Sequence, residues 1–235
     1  MGIHRLGILG ALDEEIALLR DRMHCTTTWG RAGKTFFEGV LEGLTVVLSR
    51  ADVGKVNAAI TAQLLIAQGE VEAIVFTGVA GALVPDLGIG ELIIASGALY
   101  HDVDVTAFGY ALGQVPRLPK VFATDAVLNR ELQFACAELG LQPRIGTIAS
   151  GDSFISRPDQ REALAERFGA LAVEMEGAAV AQTCYLNGIP FSLLRAISDR
   201  ADGSAPQDFR AFSKRAAQRA AQVISCLCRR LSAIA

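Results

Sequence analysis

The sequence predicts a three-layer α/β/α sandwich around a central mixed, mostly parallel sheet. Three observations carry this. Short apolar runs alternate with segments of helical periodicity throughout the 235 residues, the order that builds parallel strands covered by crossover helices. Residues 73–77 (A-I-V-F-T) and 91–96 (E-L-I-I-A-S) are apolar runs rather than alternating ones, as expected of strands covered on both faces. The runs at 36–41 and 44–49, joined at Glu42-Gly43, read as a hairpin, so some antiparallel pairing enters the sheet.

In chain order, residues 4–10 (H-R-L-G-I-L-G) form a first buried strand closed by glycine. Residues 13–23 place Ile16, Leu19 and Met23 at helical spacing. After the hairpin, 57–68 is a helix apolar on most sides, suited to the core or to a subunit interface. The strand at 73–77 runs into Gly78-Val79-Ala80-Gly81, read as a loop for tight turning or close approach to a ligand. After the strand at 91–96, residues 100–110 (Y-H-D-V-D-V-T-A-F-G-Y) are polar and aromatic, and the loop continues to Lys120. Residues 125–139 form an amphipathic helix with an acidic start and Gly140 at its end. A strand at 144–150 enters Gly151-Asp152-Ser153-Phe154-Ile155, and 158–168 is a charged surface helix. Residues 171–181 (L-A-V-E-M-E-G-A-A-V-A) alternate at period two and then become a small-residue helix. Period two puts Glu174 and Glu176 on one strand face. The last strand, 189–197, ends at Ser198-Asp199, and 207–234 is a long terminal helix. Nothing resembles a linker or a repeat, so 1–235 reads as one domain.

Composition excludes several functions. With a net charge of −3, the chain has no basic field for nucleic acid. The cationic face of the terminal helix (Arg210, Lys214, Arg215, Arg219) reads as solvated. No apolar run reaches membrane-spanning length, and no signal h-region opens the chain. Five cysteines without a C-x-x-C pair read as reduced, mostly buried thiols of a cytoplasmic protein. His101-Asp102-x-Asp104 is a weak metal signal with no second cluster, so neither metal nor cofactor is expected.

In open α/β sheets, ligands collect at the carboxyl ends of strands. The residues found there are Asp13-Glu14-Glu15, the glycine segment at 78–81, residues 151–155, Glu174 and Glu176, and Arg195 with Asp199. Their convergence would make an acid/base site. Taken singly each has a plainer reading: acids 13–15 suit a helix N-terminus, and Arg195 with Asp199 could be a structural ion pair.

These residues carry a resemblance. G-A-L-D-E-E at 10–15, A-D-V-G-K-V-N-A-A at 51–59, T-G-V-A-G at 77–81, the aromatic segment at 100–110, S-G-D-S-F-I at 150–155, V-E-M-E at 173–176 and R-A-I-S-D at 195–199 resemble, in order, the 5′-methylthioadenosine/S-adenosylhomocysteine nucleosidases. These belong to the purine nucleoside phosphorylase superfamily. The resemblance implies a nucleoside phosphorylase-like fold and hydrolysis of the N-glycosidic bond of a 5′-thio-substituted adenosine. It implies that Glu15 activates water, with Arg195 holding that water and tying Glu15 into the site. Asp199, with Ser198 beside it, would protonate adenine N7. Glu176 would bind the ribose hydroxyls, Met175 would pack on the nucleoside, and Glu174 would support the site or pair with a cation. Val79, Ala80 and Gly81 would line the site. Phe154 and Ile155 would read and stack on adenine, Val53 and Phe209 would line the 5′-alkylthio pocket, and Phe108 and Tyr110 would close the neighbouring site of a homodimer.

Two places depart from the family pattern. Val79 stands where many relatives carry serine, and the segment 203–208 with Pro206, expected at the mouth of the 5′ pocket, is unlike theirs. A phosphorylase needs a cationic anion pocket, and Asp13, Glu14 and Glu15 would repel a phosphate dianion, so hydrolysis is the expected reaction. A nucleosidase for an adenosine-containing menaquinone intermediate shares the same machinery. A non-catalytic adenosine sensor would be expected to lack Glu15 or Asp199.

Overall fold

The computed structural model describes residues 2–234. Along them run β1 (Arg5–Gly10), α1 (Asp13–Arg22), β2 (His24–Arg31), β3 (Lys34–Leu41), β4 (Leu44–Arg50), α2 (Lys55–Ala67), β5 (Ala73–Ala82) and β6 (Leu92–Tyr100). Then come β7 (Phe122–Ala123), α3 (Ala126–Glu138), β8 (Arg144–Ser150), α4 (Pro158–Phe168), β9 (Ala172–Glu174), α5 (Gly177–Asn187), β10 (Phe191–Asp199) and α6 (Ala205–Ile234).

Strand alternation decides the layers. In β1, Leu6 and Ile8 join α1, α3 and α6 on one side of the sheet, while Leu9 joins α2 and α5 on the other. β5 divides likewise, with Val75 on the first side and Ile74 and Phe76 on the second. Period two thus feeds two apolar cores, one per face, and the expected sandwich results. α4 covers a smaller cluster, with Leu164 beside Leu99 and Val173.

The sheet is mixed, as expected, and β5–β10, β1–β4 and β6–β8 are its longest parallel ladders. It also closes on itself. β5 pairs with β10, β10 with β6, β6 with β8, β8 with β9, and β9 with β5. The three residues of β9 complete this ring, which brings together strand ends that an open sheet would spread apart.

Local chemistry explains most boundaries. Glu42 and Gly43 both take positive φ, 51° and 86°, the turn that a two-residue hairpin needs. Asp125 caps α3 by accepting from the Leu128 N–H at 2.8 Å. Pro158 opens α4 and Gly169 closes it in the left-handed region.

Two strands escape the sequence pattern. β2 is an edge strand exposed along almost all of its length, so it carries no alternating signal, and its antiparallel ladder with β3 holds it. β7 has two residues paired to β6. One reading needs correction: Gly78–Gly81 is not a loop. β5 continues unbroken to Ala82, and Arg195–Asp199 of β10 pair beside it. The glycines there have another purpose.

Candidate active site

Glu15 begins as a helix-start acid and ends as a buried one. It is the third residue of α1, and its side chain turns back over the helix N-terminus. There its Oε2 accepts from the N–H groups of Ala11 (2.5 Å) and Leu12 (3.0 Å), while Oε1 accepts from Val79 N–H at 2.9 Å. Its neighbours in sequence behave as ordinary first-turn acids: Asp13 pairs with Arg50 at 2.5 Å and Glu14 is exposed. Burial raises the Glu15 pKa, opposed by the positive charge of Arg195 and by the three N–H donors. A carboxylate held this way is oriented and more basic than one in water.

The glycines of β5 make this possible. A Cβ on Gly78 would lie 2.5 Å from Glu15 Oε1, and one on Gly81 would lie 2.7 Å from Asp199 Oδ1. Each glycine is the bare patch of strand against which an acid rests. The two patches are three residues apart on β5, and both acids that rest on them line one cavity. Val79 contributes its backbone N–H, a donor that any residue at that position supplies. The departure from serine therefore leaves this Glu15 contact intact.

Asp199 ends β10 and is buried. Ser198 Oγ donates to its Oδ2 at 2.8 Å, and Ala201 N–H donates to Oδ1 at 2.9 Å. Burial is the main cause of its raised pKa, and the nearby Asp208 and Asp202 charges add to it. The shift is toward the protonated form, the direction a general acid requires.

Glu174 and Glu176 do not share one strand face. β9 stops at Glu174, and Glu176 has left the strand to become the N-cap position of α5, with φ −139° and ψ −37°. The reason is Glu174 itself. Its carboxylate accepts from the N–H groups of Glu176 (3.2 Å) and Gly177 (2.9 and 2.8 Å), the otherwise unpaired donors at the start of α5. Ser150 Oγ also donates to Glu174 and accepts from Ala178 N–H at 2.8 Å. Arg195 Nη2 completes the cluster, 2.8 Å from Glu174 Oε2 in a fully buried pair. Glu174 is therefore the site's anchor and pairs with a cation, as expected.

Arg195 does not tie down Glu15. Its hydrogen bonds go to Glu174 and to the carbonyls of Phe76 and Leu194, and its guanidinium lies over the Phe76 ring at 4.1 Å. It acts on Glu15 through its charge alone. Glu176 remains free to face a ligand: one oxygen accepts from Gly54 N–H at 2.7 Å, and burial beside the Glu174 charge raises its pKa.

These groups line one cavity of about 420 Å³. Glu15, Glu174, Glu176 and Asp199 supply its acids, with Val79, Ala80, Gly81, Met175 and Ser198 between them. Ile155 and Phe154 form one wall and Val53 another. Phe209 meets Phe154 edge to face with centroids 5.8 Å apart. A mostly apolar cleft with a few convergent polar groups is the usual form of a small-molecule site.

The family model described as the phosphorylase superfamily matches residues 5–229. The chain belongs to the phosphorylase superfamily. Its curated relatives within the superfamily include a 5′-methylthioadenosine/S-adenosylhomocysteine nucleosidase of Staphylococcus aureus, 40% identical over 94% of this chain and 98% of the relative. Among solved structures, the Neisseria meningitidis nucleosidase of the same name, in complex with methylthio-immucillin-A, has a TM-score of 0.95. It is 37% identical over 97% of this chain and all of that one. A futalosine hydrolase of Helicobacter pylori has a TM-score of 0.92 and 35% identity, covering 96% of this chain and 97% of its own.

Of the site residues expected in this superfamily chain, the fold brings all but Arg195, Phe108 and Tyr110 to the cavity wall. Arg195 lies behind it. Phe108 sits on a short 3₁₀ turn (Thr106–Phe108), 81% exposed. Asp102 is committed to Lys55 at 2.6 Å and Asp104 to Thr106, and no group of three or more His, Cys, Asp or Glu among the described residues is arranged to hold a metal ion. Sequence reasoning missed Gly54, Ser150 and Arg210, while Pro206, expected at the 5′ pocket, does line the cavity. Gly54 had a signal, since glycine just before a helix allows the φ of 100° that aims its N–H at Glu176. Ser150 had none, because its partner lies 24 residues away.

Proposed function

We infer that the chain is a nucleosidase that hydrolyses the N-glycosidic bond of 5′-methylthioadenosine and S-adenosylhomocysteine, releasing adenine and the 5-thio-substituted ribose. The observation that carries this is the seating of Glu15 and Asp199 on Gly78 and Gly81, two acids with raised pKa that line one cavity. Cleavage through an oxocarbenium-like state needs an acid at the leaving base and a base beside water. Asp199 fits the first task, donating its proton to adenine N7, with Ser198 holding the carboxylate left behind. Glu15 fits the second, deprotonating water once ionised.

Glu176 takes the ribose hydroxyls, and Glu15, once ionised, stabilises the developing cation. Phe154 and Ile155 hold adenine, Met175 packs on the nucleoside, and Val53 and Phe209 enclose the 5′ substituent. Water is the nucleophile rather than phosphate, because the acids around the cavity would repel a dianion and Arg195 is already neutralised by Glu174.

The same reading makes the protein a cytoplasmic homodimer. Val56 and Ile60 of α2 are exposed, as are Tyr185 and Leu186 of α5. These helices are joined through Gln63 and Asn187, so their apolar side chains form one candidate interface that begins at the pocket residue Val53. Phe108 and Tyr110 close the partner's cavity in this arrangement.

Purified protein incubated with methylthioadenosine should release adenine with or without phosphate. A strict phosphate requirement with a sugar-1-phosphate product would refute hydrolysis. The likeness to a futalosine hydrolase favours one second reading, a related substrate of menaquinone synthesis. Competition kinetics against methylthioadenosine separate the two.

A further inference from the structure

We propose that Arg210 recognises a carboxylate at the far end of the 5′ substituent, and so sets a preference for 5′ tails that carry a carboxylate over tails that lack one. This rests on the nucleosidase reading above. Pro206, Phe209 and Arg210 line the cavity from α6, and their i, i+3, i+4 spacing puts all three on one helix face. Arg210 is exposed and follows in the chain Phe209, whose ring is expected to enclose the sulfur. It makes no hydrogen bond or ion pair with any described residue. By contrast, Arg219, further along the same helix, is spent on the Gly90 carbonyl at 2.8 Å.

The charge balance gives this cation a task. The residues lining the cavity include four carboxylates, Glu15, Glu174, Glu176 and Asp199, and Arg210 is the sole cation among them. A carboxylate on the tail therefore has no other positive charge to meet, since Arg195 lies behind the wall and is paired with Glu174. In adenosylhomocysteine the carboxyl carbon lies four bonds beyond the sulfur, which carries it past the apolar Val53–Phe154–Phe209 collar toward solvent. A guanidinium on a long, unengaged side chain suits that position, since its planar fork matches carboxylate geometry. Methylthioadenosine ends inside the collar and has nothing to offer it.

Three substrates test the idea: adenosylhomocysteine, the 5′-(3-aminopropylthio) analogue that keeps the amine and lacks the carboxylate, and methylthioadenosine. With each kcat/KM expressed relative to methylthioadenosine, Arg210→Met should lower the ratio of adenosylhomocysteine to the aminopropyl analogue about tenfold. That is the lower end of the range for a hydrogen bond to a charged group. Arg210→Glu should lower it further, and Arg210→Lys should restore part of it. In the parent protein the ratio should fall with added salt, as an exposed ion pair requires. An unchanged ratio in Arg210→Met, an equal fall for all three substrates, or no salt dependence overturns the proposal while leaving the nucleosidase reading intact. No adenine from any of the three in the parent protein overturns that reading and the proposal with it.

Discussion

The sharpest single perturbation adds one methyl group at Gly78. An alanine Cβ there would stand 2.5 Å from Glu15 Oε1, 2.8 Å from its Cδ and 3.0 Å from Oε2, where ordinary contact begins at 3.4 Å. The carboxylate must therefore retreat by about 0.9 Å, the difference between 3.4 and 2.5 Å, a clearance set by close packing. It can do so only by stretching or breaking the bonds from Ala11, Leu12 and Val79 that aim it. A misplacement near 1 Å costs about 100-fold in rate, and overpacking adds about 1–3 kcal/mol of destabilisation. Gly78→Ala should thus fold, lose about 100-fold in kcat for adenine release, and shift its urea midpoint modestly. Gly30→Ala, on the edge strand with its nearest atom at 3.7 Å, controls for the added methyl. Adenine release, followed spectrophotometrically and paired with urea titration of both variants, separates the two effects. If Gly78→Ala keeps kcat within twofold of the parent, Glu15 is not the base, or its placement does not matter.

Glu15→Gln and Asp199→Asn should each remove most turnover while a nucleoside analogue still binds, because an amide neither takes the proton from water nor donates one as an acid does; normal kcat in either variant contradicts its role. Glu174→Ala leaves the Arg195 guanidinium buried and unpaired, which should cost about 3–5 kcal/mol, read from the shift in urea midpoint. Glu15, Glu176 and Asp199 all have pKa values raised by burial. The folded protein therefore holds protons that the unfolded chain releases, and this stability is complete below the ordinary carboxylate range. It is lost as pH rises through the raised values. Urea midpoints across that window should fall with pH, and Glu176→Gln should flatten the slope. Phe108→Ala should raise KM for methylthioadenosine in a protein that sediments as a dimer; an unchanged KM there would remove the cross-subunit lid.

Much of the fold was legible because burial leaves a periodic trace. The apolar runs at β1, β5 and β6 report strands covered twice, and Glu42-Gly43 reports its hairpin through backbone sterics alone. β2 was silent because an exposed edge strand needs no apolar face. The candidate site was less legible from spacing. Glu174 and Glu176 look equivalent at period two, and only the start of α5, with N–H groups that need an acceptor, separates the anchor from the free carboxylate. Gly78 and Gly81 look like a turn, and only the acids resting on them explain why β5 carries no side chain there.

The sequence by itself determined which acids exist, where strands give way to helices, and through its ordered motifs the family to which the chain belongs. Those properties follow from local sterics and periodicity, which a linear string records. Tertiary structure decided the state and task of each acid: Glu15 turned inward, Glu174 spent on Arg195 and α5, Glu176 left open, Asp199 buried beside Ser198. Desolvation and hydrogen bonding set those states, and both depend on neighbours far apart in the chain. The closed strand ring, completed by three residues of β9, brings those neighbours together.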